Sequence, residues 1–264
     1  MELSGKLAII TGASRGIGRA LTIELAKSGC GLLLTALEVD ELSVLSNELQ
    51  AKFPISVAMM ACNLANDESR KGLIKWIKSQ EPFDILINNA GLGYFGRFED
   101  SEWSSIEKTI ALNISAIIHL TYELIPILKK RPLAKIVNIS SGIARLPYPG
   151  LAVYGATKGF ISSFSESLSS ELSDTSISVL CFHPGFAMTS FISSAGMDLQ
   201  KVPRILLHSP EEVATQIVLA IRKDKPWAYS DFMTRLSAWF GALLPPRLKN
   251  SIFKNLFWRL PDAK

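Results

Sequence analysis

The sequence predicts an α/β protein: a doubly wound parallel sheet of about seven strands with a C-terminal helical appendage. Three observations carry this. Short apolar runs alternate with amphipathic segments through residues 7–230, the pattern of strands covered on both faces and joined by crossover helices. The first strand runs directly into a glycine-rich turn and a helix. Beyond residue 230 the alternation stops and two helical stripes replace it.

Leu7-Ala8-Ile9-Ile10-Thr11 is the first strand. Gly12-Ala13-Ser14-Arg15-Gly16-Ile17-Gly18 follows, then a helix to about Lys27. Strand, glycine turn and helix begin a dinucleotide-binding unit of Rossmann type. Gly12 allows the tight turn, Gly16 lets backbone approach a pyrophosphate, and Gly18 lets helix pack on strand. The unpaired N–H groups of the helix N-terminus suit phosphate. Further strands are expected at 32–36, 57–61, 85–88, 135–140 and 178–182, with a last short one at 227–230. Helices are expected at 41–52, 68–79, 102–129 and 152–172. Ser209-Pro210-Glu211-Glu212 starts another: Ser caps, Pro takes the first turn and Glu closes a capping box. With no internal repeat or linker, residues 1–230 read as one domain and 231–264 as an amphipathic tail.

Composition narrows the function. The chain is 264 residues, 48% hydrophobic and 20% charged, as a large core requires. Residues 1–221 hold 19 Lys+Arg and 21 Asp+Glu, whereas 222–264 hold 9 and 3. A near-neutral body argues against nucleic acid, and the basic character belongs to the tail. Cys30, Cys62 and Cys181 show neither metal nor disulfide spacing, which suggests a reducing compartment. The N-terminus offers no signal peptide, and no apolar run reaches the roughly 20 residues that span a bilayer. The expected location is cytoplasmic, or peripheral to a membrane.

Tyr154 and Lys158 lie four residues apart, one above the other on a helix. Ala156, Phe160, Phe164, Leu168 and Leu172 form a different stripe at one-turn spacing. That stripe is expected to face the core and leave Tyr154 and Lys158 unclaimed. An ammonium beside a phenol favours the phenolate and pulls its pKa down from about 10. Tyr154 is therefore a candidate general acid/base. Ser141, just after the apolar run at 135–140, turns a weak Tyr-x-x-x-Lys pattern into a specific one.

With these residues in hand, the chain resembles the short-chain dehydrogenase/reductase family over about residues 5–230. Thr11, Gly12, Gly16 and Gly18 match its glycine pattern, and Asn88-Asn89-Ala90-Gly91 its Asn-Asn-Ala-Gly motif. Asn113, Ser141, Tyr154 and Lys158 match its catalytic residues, and Pro184-Gly185 its motif after the sixth strand. Thr189 stands where members often set a hydroxyl against the cofactor. Ser140 rivals Ser141, and the family spacing to Tyr favours Ser141. The resemblance implies hydride transfer between a nicotinamide and a carbonyl or alcohol. Tyr154 moves the proton, Ser141 bonds the reacting oxygen, Lys158 lowers the Tyr pKa and holds the ribose, and Asn113 holds a water linked to Lys158. It also implies cofactor contacts from Gly12, Ser14, Arg15, Gly16, Ile17, Gly18, Asn63, Leu64, Asn89, Ala90, Gly91, Tyr154, Lys158, Pro184, Gly185 and Thr189. Three positions depart from it: Leu37 replaces a frequent Arg of NADP users, Ala36 an Asp of NAD users, and Asn63 an Asp near adenine. Arg15 and the absence of a carboxylate at 36 favour NADP over NAD. Glu38 and Asp40 read as helix-start acids.

The resemblance places a substrate lid at about 186–208, including Phe186, Met188, Phe191, Ile192, Met197, Ile205 and Leu206. Its apolar character, with Tyr94-Phe95-Gly96-Arg97-Phe98 near the cleft, points to a hydrophobic substrate. His183 reads equally as a ligand contact or a satisfied loop residue, His119 as structural, and His208 as neighbour to a cap. No metal is expected. Family helices that carry Asn113 and Tyr154 commonly pair between subunits, and Ser162, Ser163, Ser169 and Ser170 offer a small face. A homodimer or homotetramer is therefore expected. The tail repeats Phe232, Leu236, Trp239, Phe240, Leu243 and Leu244, breaks at Pro245-Pro246, then repeats Leu248, Ile252, Phe253, Leu256, Phe257 and Leu260. Arg247, Lys249, Lys254 and Arg259, with Trp239 and Trp258, suit an in-plane membrane anchor. A hairpin packed on the body suits the pattern slightly better. The leading expectation is an NADP-dependent reductase or dehydrogenase of apolar compounds. The alternatives are a nucleotide-sensing binding protein and a membrane-peripheral reductase of lipid or steroid type.

Overall fold

Seven strands form one parallel sheet in the order β3-β2-β1-β4-β5-β6-β9. They are β1 (Leu7–Thr11), β2 (Gly31–Ala36), β3 (Val57–Ala61), β4 (Ile85–Asn88), β5 (Ala134–Ile139), β6 (Ile177–His183) and β9 (Trp227–Tyr229). The computed structural model describes residues 1–80, 82–189 and 207–257. A two-stranded parallel ladder joins β7 (Phe186–Ala187) to β8 (Leu207–His208). The strand order reverses between β1 and β4, both paired in register with Ile9 opposite Leu86. That switch point opens a crevice at the C-terminal strand ends.

Helices cover both faces because every strand residue in β2, β4 and β5 is buried. One face packs α1 (Gly16–Lys27), α2 (Val39–Lys52) and α7 (Pro210–Arg222) through residues such as Leu21, Leu45 and Ile217. The other packs α3 (Asp67–Ser79), α5 (Ala116–Leu128) and α6 (Ala152–Glu171) through Leu73, Leu120 and Leu168. Ser209 caps α7 with the complete capping box, Glu212 reaching back to the Ser209 N–H.

The helix expected at 102–129 is α4 (Trp103–Ile110), a π turn (Ala111–Ser115) and α5 in one continuous run. The 26 residues Trp103–Leu128 are apolar and long enough to cross a bilayer by length and composition, which corrects the expectation that no run was. In the fold they serve a core instead, with Ala116, Leu120, Leu124 and Leu128 buried in the cluster on the sheet. The π turn holds Asn113, and π turns inside helices occur frequently at functional sites.

Two amphipathic readings need correction. On α6 the buried residues are Thr157, Lys158, Ile161, Ser162, Ser165 and Leu168. Ala156 is exposed, and Phe160 is exposed and stacks on Phe164 at 6.1 Å. The core takes the polar stripe because each of its hydroxyls finds a partner there; Ser165 Oγ, for example, accepts from Asn138 Nδ2 at 2.9 Å. Ser162 is therefore interior and does not belong with exposed Ser163 and Ser170 on an assembly face. In the tail, α8 (Phe232–Leu243) packs through its small residues Thr234, Ala238 and Gly241. A Cβ at Gly241 would lie 2.2 Å from Leu146 Cδ2, so the helix sits hard on the turn after β5. Its large residues Phe232, Trp239, Phe240 and Leu243 face outward. The last helix, α9 (Pro246–Phe257), follows. Residues 190–206 and 258–264, with most of the expected lid and Trp258, Arg259 and Leu260, lie outside the described residues.

Candidate active site

The glycine turn after β1 is shaped by contacts that exclude side chains. Gly12 and Gly16 have φ of +64° and +52°, a region costly for residues bearing a Cβ. A Cβ on Gly18 would lie 2.0 Å from the Gly12 carbonyl oxygen, so only glycine lets α1 start this close to the strand. Arg15 occupies the N-cap of α1 without capping it through its side chain, which leaves first-turn N–H groups for an anion. Asn89 closes the opposite wall: its Nδ2 donates to the carbonyls of Thr11 (2.9 Å) and Gly12 (3.1 Å). Asn88 is interior and donates to Asn138 Oδ1 at 2.8 Å. Every residue that the sequence assigns to the cofactor lines one cleft of about 440 Å³ at the switch point. These features fit a dinucleotide.

Ser141, Tyr154 and Lys158 line the same cleft. Ser141 follows β5 and caps the 3₁₀ turn Gly142–Arg145, while its hydroxyl shares a hydrogen bond with the Tyr154 phenol. Lys158 Nζ donates to the Ile139 carbonyl at 2.9 Å and lies 5.7 Å from the Tyr154 ring centroid. Burial depresses the Lys158 ammonium to about 8. The Tyr154 phenol moves opposite to the sequence expectation: desolvation pushes it up to about 12, and the Ser141 bond only partly offsets this. The physical reason is burial of the phenol, which denies the phenolate its hydration. At neutral pH Tyr154 therefore holds its proton.

Asn113 is fully buried, and its Oδ1 and Lys158 Nζ lie 3.5 and 3.4 Å from where a Cβ on Gly91 would stand. Its Oδ1 accepts from the Leu92 N–H, and its Nδ2 donates to the Leu92 carbonyl and to Thr157 Oγ1, at 2.8, 2.8 and 3.0 Å. The side-chain amide thus ties the post-β4 loop to α6 directly.

Ser140 also lines the cleft, but its hydroxyl is engaged within the interior. Its hydroxyl donates to the Lys158 carbonyl (2.9 Å) and meets Ser162 Oγ (2.8 Å), which in turn lies 3.0 Å from His183 Nε2. His183 is 1% exposed and sandwiched between Trp227 and Tyr229, 4.6 and 4.8 Å between centroids. It is an interior residue of the β6–β9 seam whose Nε2 is bonded while its buried Nδ1 meets no hydrogen-bond partner among the described residues. Desolvation lowers its pKa to about 4, against an unfolded value of about 6.5. Above pH 6.5 both states leave it neutral. As pH falls from about 6.5 to 4, only the unfolded chain takes the proton, so stability should drop by about 3 kcal/mol. Urea melts across this range should show the loss in the wild type and a flatter slope for His183→Gln.

At the adenosine end Arg15 is not free. Its Nε donates to Glu41 Oε2 at 2.6 Å, its NH2 donates to Glu41 Oε1, and its NH1 lies 3.8 Å from Glu38. The sequence pointed to Glu38 and Asp40 as helix-start acids and missed Glu41, whose 26-residue separation from Arg15 gives no local signal. Also missed was the junction where the tail meets the Pro184-Gly185 turn. The Gly185 N–H donates to Ser230 Oγ (2.8 Å), and Asp231 Oδ2 accepts from Ser230 and Thr234 hydroxyls and faces His208 Nε2 (2.8 Å). Asp231 as an N-cap ahead of a periodic run was the readable clue. His119 is structural, accepting at Nδ1 from Arg70 Nε (2.9 Å). All three cysteines are buried and free. Among the described residues no His/Cys/Asp/Glu group is arranged to hold a metal.

Residues 6–199 match the family model for short chain dehydrogenases. The chain is 32% identical over 269 residues to a very-long-chain 3-oxoacyl-CoA reductase-like protein of Arabidopsis thaliana, covering 97% of this chain and 80% of that protein. It is 29% identical over 238 residues to the glycine betaine reductase ATRR of Emericella nidulans, covering 88% of this chain but only 19% of that much longer protein. A short-chain dehydrogenase from Sphingobium yanoikuyae, solved in complex with NADPH, superposes with a TM-score of 0.82 at 25% identity, covering 98% of each chain.

Proposed function

The chain belongs to the short-chain dehydrogenase family, and from that premise we propose that it is an NADPH-dependent reductase of apolar carbonyl compounds. The observation that carries the reading is one cleft that brings a proton-holding Tyr154 beside Ser141, Lys158 and an uncapped glycine turn. NADPH, when bound, supplies hydride to the carbonyl carbon. Tyr154 gives its phenolic proton to the carbonyl oxygen, and its raised pKa suits this direction at neutral pH. Ser141 donates to the same oxygen as negative charge grows there. Lys158, held by the Ile139 carbonyl, supplies positive charge next to the ring as the phenolate forms and holds the ribose. Asn113 positions α6 and the loop after β4. A purely nucleotide-sensing protein would not need the proton donor.

An apolar substrate is supported by the wall beside Tyr154, where Phe95, Ile143, Tyr148, Leu151 and Phe186 cluster. The very-long-chain 3-oxoacyl-CoA reductase-like relative points the same way, and the NADPH-bound Sphingobium structure supports the cofactor. Exposed Ile118, Tyr122 and Phe160 on α5 and α6 support a homo-oligomer built on these helices. A cytoplasmic protein with peripheral membrane contact through its tail completes the reading.

The decisive experiment for cofactor choice is titration of NADPH and NADH into the protein by fluorescence. The wild type should bind NADPH more tightly. Arg15→Ala should lose about tenfold or more for NADPH alone, as one charge-assisted contact is worth. Glu41→Gln should release Arg15 and tighten NADPH while leaving NADH unchanged. Tighter binding of NADH by the wild type overturns the NADP assignment.

A further inference from the structure

We propose that the C-terminal helices form a docking face for the surface of an anionic lipid bilayer. This names the surface behind the peripheral contact given above and stands independently of the reductase chemistry.

The orientation of α8 is the first observation. Its body-facing residues are Thr234, Ala238 and Gly241, and its outward stripe is Phe232, Trp239, Phe240 and Leu243, the first 70% and the last 63% exposed. A helix that needs only to pack turns its large apolar side chains inward. Here the small face is fixed by contact: Thr234 Cγ2 fills the space a Cβ on Gly142 would occupy, and Gly241 sits on Leu146. The large face cannot rotate inward without losing both fits and the Asp231 cap. Leu248 and Ile252 on α9 extend the exposed apolar surface. Lys249 Nζ donates to the Gly241 carbonyl at 2.8 Å and folds α9 against the end of α8.

Charge is the second observation. A cleft of about 630 Å³ lies between the end of α7, β9 and α8, and Lys223, Lys225 and Arg235 line it beside Phe232. The acids nearby are occupied: Asp224 pairs with Lys135 and Asp231 with His208. Among the described residues no carboxylate pairs with Lys223, Lys225, Arg235 or Arg247. Apolar side chains beside unpaired cations match the acyl boundary and the phosphates of an anionic leaflet. A second copy fits less well, because a two-fold contact would set this basic patch against itself. Each helix has 12 residues, short of the roughly 20 that cross a bilayer, so the pair lies in the plane of the surface.

The test is flotation of the full chain with vesicles of phosphatidylcholine alone or mixed with phosphatidylglycerol. The bound fraction should be at least about tenfold higher on the anionic vesicles and should fall sharply in about 0.5 M salt. Trp239→Ser with Phe240→Ser, and separately Lys225→Glu with Arg235→Glu, should each abolish most of it while NADPH binding is retained. Wild type that stays with the vesicle-free fraction at low salt overturns the proposal, as does undiminished binding by both double variants. A wild-type dimer that the Trp239/Phe240 variant converts to monomer, with no vesicle binding by either, makes the face a contact between copies and also overturns it. Failure of the reductase reading leaves all these outcomes unchanged.

Discussion

Replacing Tyr154 by phenylalanine is expected to lower carbonyl reduction by about 10²–10⁴-fold, the usual worth of a positioned proton donor. The ring stays, so its packing against Ile143, Tyr148 and Leu151 stays. Only the hydroxyl that shares a hydrogen bond with Ser141 is lost. The loss should fall on kcat, with NADPH affinity changed little, because the transferred proton matters in the transition state alone. Steady-state rates with an apolar ketone and a parallel nucleotide titration separate the two. Near-normal turnover would remove the proton-donor role.

Ser141→Ala and Ser140→Ala should fail in different ways. Ser141 faces the cleft, and its removal takes away a donor to the developing oxyanion, worth about 10²–10³ in kcat. Ser140 is 1% exposed and bonds the Lys158 carbonyl and Ser162. Its removal leaves buried partners short of a bond, at a cost of about 1–3 kcal/mol in stability, with activity largely kept. Melting curves and rates on the same two proteins check this. The reverse pattern would transfer the oxygen-binding role to Ser140.

The sequence made the sheet legible because its strands are uniformly apolar and bounded by turns. The strands at 7–11, 57–61 and 85–88 match the structure to the residue. The glycines, Asn89-Ala90-Gly91 and the Ser, Tyr and Lys fall into one cleft because loops and a helix at the strand ends carry them. Apolar periodicity failed on α6 and α8 for one reason. It measures hydrophobicity, whereas burial also accepts polar groups that find partners and small groups that fit. Ser140 and Ser162 hydroxyls and His183 Nε2 bond one another inside the core, and Phe160 is left outside. The Tyr154 pKa was misjudged because proximity along a helix does not say how deeply a phenol is buried, and desolvation outweighs the Ser141 bond. Long-range pairs such as Arg15 with Glu41 leave no local trace.

Hydride transfer is the centre of the account, and isotope transfer measures it directly. The protein would be incubated with NADPH deuterated at the transferring position of the nicotinamide and with an apolar 3-oxoacyl thioester or ketone, and the product analysed by mass spectrometry. The account predicts an alcohol carrying one deuterium on the carbinol carbon with the wild type, and almost none with Tyr154→Phe. Absence of labelled alcohol across a panel of apolar carbonyls, with NADPH bound, would contradict it.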